Sequence, residues 1–386
     1  MGRDEPKQAA IRAVPGIRVV PSAATVVVVT LVAAIAGLAS PPAAAEPYLA
    51  VESGLKCANC HTNPTGGGKR SLFGMTYART NLAARRIFVD DDTHGWNSEI
   101  NRWLGVGGDY RGGFTSVDSP GSEDRSGWAT TRGTAYLEIR PVPGLLTLYA
   151  DEQLAPGESL NREAWVLLTP AEGKYTIKAG QLFLPFGLRL EDDTSFVRQR
   201  SGINFATPDE GVELGLALPR WSAQAAFTDG TAGAGSAPGR SQTSLSASYV
   251  QNRWRVGASF NLNEDPLGDR EMLALFAGFR TGPISWLAEI DWIEDQLPSG
   301  SSDDLLASLI EGNWRIRKGH NFKFSYEYFD PADPAGDDEL ERYSAVWEYS
   351  PVQLLQTRAG YRAYNGVPAQ PQTNRKEFFL EAHVYF

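Results

Sequence analysis

From about residue 100 to Phe386 the chain repeats one unit: a segment that alternates apolar and polar residues, then a connector. Alternation with period two is the mark of a strand with two different faces. Sixteen such segments can be placed, at 100–114, 128–140, 143–153, 162–169, 174–182, 208–218, 221–229, 240–250, 253–262, 271–280, 284–293, 304–314, 321–329, 340–350, 353–364 and 376–386. Their connectors alternate strictly. Tight turns such as Pro141–Gly144, Pro219-Arg220 and Pro351-Val352 are interleaved with long polar loops such as 115–127, 183–207 and 365–375. A soluble sandwich or propeller does not require that asymmetry. An up-and-down transmembrane barrel does, with short turns at one rim, longer loops at the other and an even strand count. The expected fold is all-β: about sixteen antiparallel strands closed into a barrel over 96–386, preceded by a small, partly helical segment over 46–95.

The last segment carries the pattern most clearly. Phe378, Leu380, Ala382, Val384 and Phe386 share an apolar face suited to lipid. Glu377, Phe379, Glu381, His383 and Tyr385 share a mixed face suited to a lumen. A strand ending in Phe resembles the closing strand of bacterial outer-membrane proteins. Trp103, Trp128, Trp165, Trp221, Trp254, Trp286, Trp292, Trp314 and Trp347 fall within these strands, as interfacial belts would place them.

The amino terminus reads as a targeting segment, 1–45. Arg3, Lys7, Arg12 and Arg18 precede an apolar run over 23–39, and Ala43-Ala44-Ala45 offers an A-x-A cleavage site before Glu46. Removing its four basic and two acidic residues takes the formal charge from −10 to −12. An acidic chain argues against nucleic acid and suits cations or basic partners. Beyond residue 45 no apolar run reaches the ~20 residues of a spanning helix. The mean hydropathy of −0.29 is compatible with barrel strands, whose two faces average out.

The chemistry sits ahead of the first strand. Cys57-Ala58-Asn59-Cys60-His61 contains the only two cysteines of 386 residues. C-x-x-C-H is the attachment pattern of a c-type haem. Two thiols three positions apart reach the two vinyl groups of one porphyrin as thioethers, and the adjacent imidazole becomes an axial ligand of the iron. One covalent c-type haem on Cys57, Cys60 and His61 is therefore expected, outside the cytoplasm. A disulfide or half a zinc site are the competing readings, and a lone pair of cysteines makes a poor zinc site. Thr62 to Gly68, with three consecutive glycines, is a turn that lets backbone pass close to a flat ligand. A short helix over 69–86 would use Leu72, Met75, Leu82 and Ala83 for one face. Met75 and His94 are the two candidates within this segment for the distal iron ligand. His383 points toward the expected lumen, and His320 sits in a turn. Met/His ligation would raise the potential relative to two histidines.

With this motif ahead of sixteen strands, the chain resembles the fused outer-membrane cytochrome–porins, whose best-known members are iron oxidases. Pro185-Phe186-Gly187-Leu188 and Asp209-Glu210-Gly211-Val212-Glu213-Leu214-Gly215 look like phosphate-selective-type porins. The resemblance implies electron transfer in the outer membrane, from extracellular Fe(II) to a periplasmic carrier. It carries only Cys57, Cys60 and His61 across by position. The residues themselves leave open a solute porin with a structural or sensory haem, and the barrel of a larger porin–cytochrome conduit.

The loop 183–207 has the length of a constriction loop folded into a pore. Arg189, Arg198 and Arg200 with Glu191, Asp192 and Asp193 would line an eyelet of both charges. Other long loops are acidic, at Glu123-Asp124, Glu264-Asp265, Glu294-Asp295, Asp303-Asp304 and Asp337 to Glu339. Carboxylates are hard ligands that would concentrate Fe²⁺ or another cation. One porphyrin cannot bridge an apolar band ~25 Å tall, so the haem segment either plugs the lumen, for which a sixteen-stranded barrel has room and which is the arrangement expected here, or holds its haem at the periplasmic mouth.

Overall fold

The computed structural model describes residues 46–87, 96–121, 123–230, 240–266, 268–296, 300–331, 338–367 and 370–386. The expected targeting segment and His94 lie outside them.

Alternation along each segment produces strands. A three-residue piece, β1 (Glu99–Asn101), precedes sixteen staves: β2 (Leu104–Asp118), β3 (Arg125–Val142), β4 (Leu146–Ala155), β5 (Leu160–Leu168), β6 (Tyr175–Leu182), β7 (Asp209–Ala217), β8 (Trp221–Thr228), β9 (Ser241–Val250), β10 (Trp254–Glu264), β11 (Arg270–Thr281), β12 (Ile284–Gln296), β13 (Ser302–Arg317), β14 (His320–Asp330), β15 (Leu340–Val352), β16 (Leu355–Asn365) and β17 (Lys376–Tyr385). Each stave pairs antiparallel with the next, and β17 returns to β2 from Lys376↔Asp118 to Tyr385↔Asp109. Closure leaves no stave with an unpaired edge.

The first strand departs from expectation. Asn101 Oδ1 accepts the N–H groups of Trp103 (2.8 Å) and Leu104 (3.0 Å). That side-chain turn bends the chain back, so β1 pairs with the start of β2 and the stave proper begins at Leu104. The tryptophans also divide. Trp128 is 78% exposed on the outer face, Trp221, Trp314 and Trp347 are exposed there too, and Trp103 is exposed in the turn between β1 and β2 rather than within a strand. Trp165 instead faces inward, stacked on Tyr149 with ring centroids 4.5 Å apart.

On β17 the expected faces hold: Phe378, Leu380 and Val384 are exposed, while Phe379, His383 and Tyr385 are buried. Val166, Ile177, Leu214, Leu273 and Ile310 continue the apolar exterior on other staves. The interior is polar, with buried charges on alternate wall positions such as Glu163, Lys178, Glu213, Glu327 and Arg342. This inverted distribution is that of a transmembrane barrel.

Two inserts fill the lumen. The amino-terminal one contains α1 (Pro47–Ser53), α2 (Cys57–Cys60) and α3 (Leu72–Tyr77). It forms one compact unit with the barrel. The helix expected over 69–86 is only the six residues of α3, running into a wide π-turn at Ala78–Leu82. Leu72 is consequently exposed, whereas Met75 and Ala83 are buried. The second insert is the loop 183–207 with α4 (Phe196–Ser201). Tyr48, Leu49 and Val51 of α1 pack on Leu188, Leu190 and Phe196 of this loop and on Phe276, Leu287 and Leu309 of the wall. An apolar core thus forms inside a polar cylinder, because the two inserts supply the facing surfaces.

Candidate functional site

The C-x-x-C-H stretch is held as one helical turn. Lys56 N–H donates to Asn59 Oδ1 (3.0 Å), and His61 N–H donates to the Cys57 carbonyl (3.1 Å). The chain then reverses. Gly66, Gly67 and Gly68 take φ of 92°, 79° and 62°, which L side chains adopt only under strain. After the reversal, His61 forms a bridge with Arg70, and Ser71 N–H donates to the Cys60 carbonyl (2.9 Å). α3 closes on this turn so tightly that a Cβ at Gly74 would collide with the Cys60 carbonyl oxygen. Gly74→Ala is expected to cost about 1–3 kcal/mol of packing. Before any haem is attached it should speed thiol labelling of Cys60 about tenfold or more. An unchanged labelling rate would mean that α3 does not clamp the turn.

Buried polar contacts tie the turn to the barrel wall. Asn63 Nδ2 donates to both carboxylate oxygens of Glu163 (2.8 and 2.9 Å), and its Oδ1 accepts from Lys178 Nζ (3.1 Å). Lys178 also pairs with Glu213 (3.0 Å). Lys69 N–H donates to the Tyr149 hydroxyl (2.8 Å), and its Nζ pairs with Glu99 (2.9 Å) and Glu138 (2.8 Å). Lys56 Nζ donates to the Leu218 carbonyl and to that of Trp221 (2.8 Å). Sequence reasoning missed this clamp. Its only signal was charge at inward-facing strand positions.

Cys57, Cys60 and His61 line one cavity of about 320 Å³. That is within the range of small-molecule pockets. Neither thiol is in a disulfide; Cys57 is half-buried and Cys60 is 1% exposed. Burial pushes the Cys60 thiol up to about 12. The wall across the cavity carries Gly215, Ala217, Ser222, Ser246 and Ser248, whose short side chains leave the space open. Two thiols, an adjacent imidazole, close glycine backbone and a recessed wall fit a flat group attached at Cys57 and Cys60. The spacing C-x-x-C-H is that of a c-type haem attachment site, and Glu46 is the one carboxylate among the described residues of that cavity's lining.

The candidate distal ligands are placed differently. Met75 is buried with Ala78 and Tyr385 and is not among the residues that line the cavity of the thiols. His94 lies outside the described residues. His383 lines a second, smaller cavity shared with His61. Both its nitrogens are engaged, Nε2 with Asp109 (2.6 Å) and Nδ1 with Gln356 (3.2 Å). His320 stacks on Tyr349 and Trp347 at the turn into β14.

The three eyelet carboxylates fold inward and pair with arginines of the wall. Glu191 meets Arg111 and Arg358, Asp192 meets Arg342 (3.0 Å) and Arg362 (2.8 Å), and Asp193 meets Arg132 (2.8 Å). Burial by itself would raise Glu191 and Asp192. Arg111 and Arg358 overcome it at Glu191, and Arg362 and Arg342 at Asp192, holding both carboxyls below the usual range. Depressed carboxylates stabilise a fold above their unfolded values, and that stability fades as pH falls through the folded values. Loop anchoring should therefore be complete at neutral pH and weaken only below about pH 4. Planar-bilayer conductance is expected to rise in that acid range alone. A rise between pH 8 and 5 would contradict the pairing.

Comparison with known proteins supports the architecture. No protein-family model matches the chain, and no curated protein does. Among solved structures, a loop L8 deletion mutant of OmpT, an outer membrane protein of Vibrio cholerae, aligns with TM-score 0.58 at 12% identity, covering 73% of this chain and 99% of that one. An anion-selective porin from Comamonas acidovorans aligns with TM-score 0.59 at 13% identity, covering 73% and 99%. OprB of Pseudomonas putida aligns with TM-score 0.57 at 8% identity, covering 74% and 94%. At these identities the likeness is one of fold: this chain has a porin-like sixteen-stranded barrel.

Proposed function

We propose that the chain is a bacterial outer-membrane barrel carrying one covalent c-type haem on Cys57, Cys60 and His61, and that it transfers electrons between the cell exterior and a periplasmic carrier. The observation that carries this reading is the convergence of both thiols and the adjacent imidazole on one cavity inside the barrel. When bound, the haem would supply reversible one-electron exchange. The chain's own residues do the rest. Cys57 and Cys60 would hold the ring by thioether bonds, and His61 would offer a nitrogen to the iron. Asn63, Lys69 and Lys178 hold the turn against the wall. The two lumen inserts restrict water around the site. Fe(II) outside the cell is the proposed electron donor, drawn by acidic groups at strand ends such as Glu264 of β10 and Asp303 and Asp304 of β13.

A second reading, a solute porin with a structural or sensory haem, is favoured by the porin-like fold and by the porins among its structural neighbours. Purified full-length protein separates the two. Electron transfer predicts a reversible reduced-minus-oxidised haem spectrum and low bilayer conductance at neutral pH. Steady conductance with a redox-inert haem would favour the porin.

A further inference from the structure

The inward loop holds two arginines with no ion-pair partner among the described residues, and one of them, Arg189, lines the cavity of the thiols. Four guanidinium groups surround the Phe205 ring: Arg132, Arg162, Arg189 and Arg198 lie 5.4, 5.4, 5.6 and 5.5 Å from its centroid. Two have carboxylate partners, Arg132 with Asp193 (2.8 Å) and Arg162 with Asp151 (3.6 Å). The other two have none within ion-pair distance among the described residues. Arg189 donates only to the Leu184 carbonyl (2.8 Å). Arg198 is 2% exposed, and its Nε and one terminal nitrogen have no hydrogen-bond partner. A buried guanidinium without an anion is costly, whereas a carboxylate satisfies it with two parallel bonds. Burial, and then the Arg198 charge, push Arg189 down to about 10.

The position of Arg189 says where an anion would come from. Its side chain lines both the cavity of Cys57, Cys60 and His61 and the smaller one that His61 shares. Its Cδ lies 3.9 Å from where a Cβ on Gly66 would stand, and Cys57 Cβ lies 3.2 Å from that same point. The arginine therefore runs alongside the turn that presents the first thiol. We propose that Arg189, which lines this cavity, and Arg198, which shares the Phe205 ring with it, form a carboxylate site. Its occupant is either the propionate groups of the attached haem or a free carboxylate solute in the lumen. The first source rests on the haem reading above; the second does not.

Calorimetric titration of the full-length protein in detergent with succinate tests the site and tells the sources apart. The haem-free form, Cys57→Ala with Cys60→Ala, should bind succinate. Arg189→Gln and Arg198→Gln should each weaken binding about tenfold or more, and Arg189→Lys, which keeps the charge, should lose less. Folding of each variant is checked by its migration as a compact barrel before heating. Succinate that binds the haem-free form but not the haem-loaded form supports the site with propionates as occupant. Arginine-dependent binding to both forms supports it with a solute as occupant. No binding to the haem-free form, or binding indifferent to both arginines, overturns it. Should the wild-type chain carry no haem, the haem reading fails while the succinate titration still decides the site.

Discussion

Exchanging Cys57 and Cys60 together for alanine is expected to abolish covalently bound haem while the barrel still closes. The thiols are the sole cysteines of the chain, so no other side chain can form thioethers. The barrel does not depend on them. Its closure rests on the β17–β2 ladder and the antiparallel register of the other staves. The turn itself is held by groups other than sulfur: the Asn63–Glu163 bonds, the Lys69 pairs and the Tyr149 hydroxyl. Peroxidase staining after a denaturing gel reads the covalent haem, and migration of the unheated protein reads the barrel. Stain lost with the compact barrel retained is the expected result. Covalent haem that survives the double exchange would place its attachment elsewhere.

Lys178→Met is expected to have the largest effect on the plug. Lys178 is fully buried, and its ammonium joins Glu213 of β7 to Asn63 of the C-x-x-C-H turn. Methionine fills the volume but leaves Glu213 without its counter-charge. Removing one partner of a buried pair costs about 3–5 kcal/mol. The cost falls on the plug, because Asn63 Oδ1 loses its one donor from the wall and keeps only those of Thr65 within its own turn, whereas the β6–β7 backbone ladder is untouched. In the form without haem, maleimide labelling of Cys57 and Cys60 should accelerate by about two orders of magnitude or more. Adding Glu213→Gln should recover part of the loss, since the stranded charge is then gone. Equal labelling rates in Lys178→Met and wild type would show that this lysine does not tether the turn.

Much of the fold was legible because a barrel strand writes both of its faces into the sequence. Lys376 to Phe386 reads directly as one lipid face and one lumen face, and the structure keeps both. What periodicity does not encode is local side-chain chemistry. Asn101 looks like an ordinary strand residue until its carboxamide is seen to cap two backbone N–H groups. Trp165 looks like a belt residue, but its inward position gives Tyr149 a ring to stack on. For the site, the motif placed Cys57, Cys60 and His61, and the glycines after it announced a reversal. The partners of that turn were not legible. Glu163, Lys178 and Glu213 lie 100 or more positions away in sequence from Asn63, and nothing local signals which inward charge meets which plug residue. The eyelet illustrates the same limit. Its arginines and carboxylates could be named from the loop, but not that Glu191, Asp192 and Asp193 would be consumed by wall arginines while Arg189 and Arg198 would form no ion pair among the described residues.

The central claim is that a haem fixed inside this barrel exchanges electrons with the outside. The direct measurement is visible spectroscopy of oxidised, haem-loaded protein in sealed vesicles to which Fe²⁺ is added externally. The account predicts reduction of the haem by external Fe²⁺, and its loss in the form with Cys57→Ala and Cys60→Ala. A haem that dithionite reduces fully but external Fe²⁺ leaves oxidised would contradict the account.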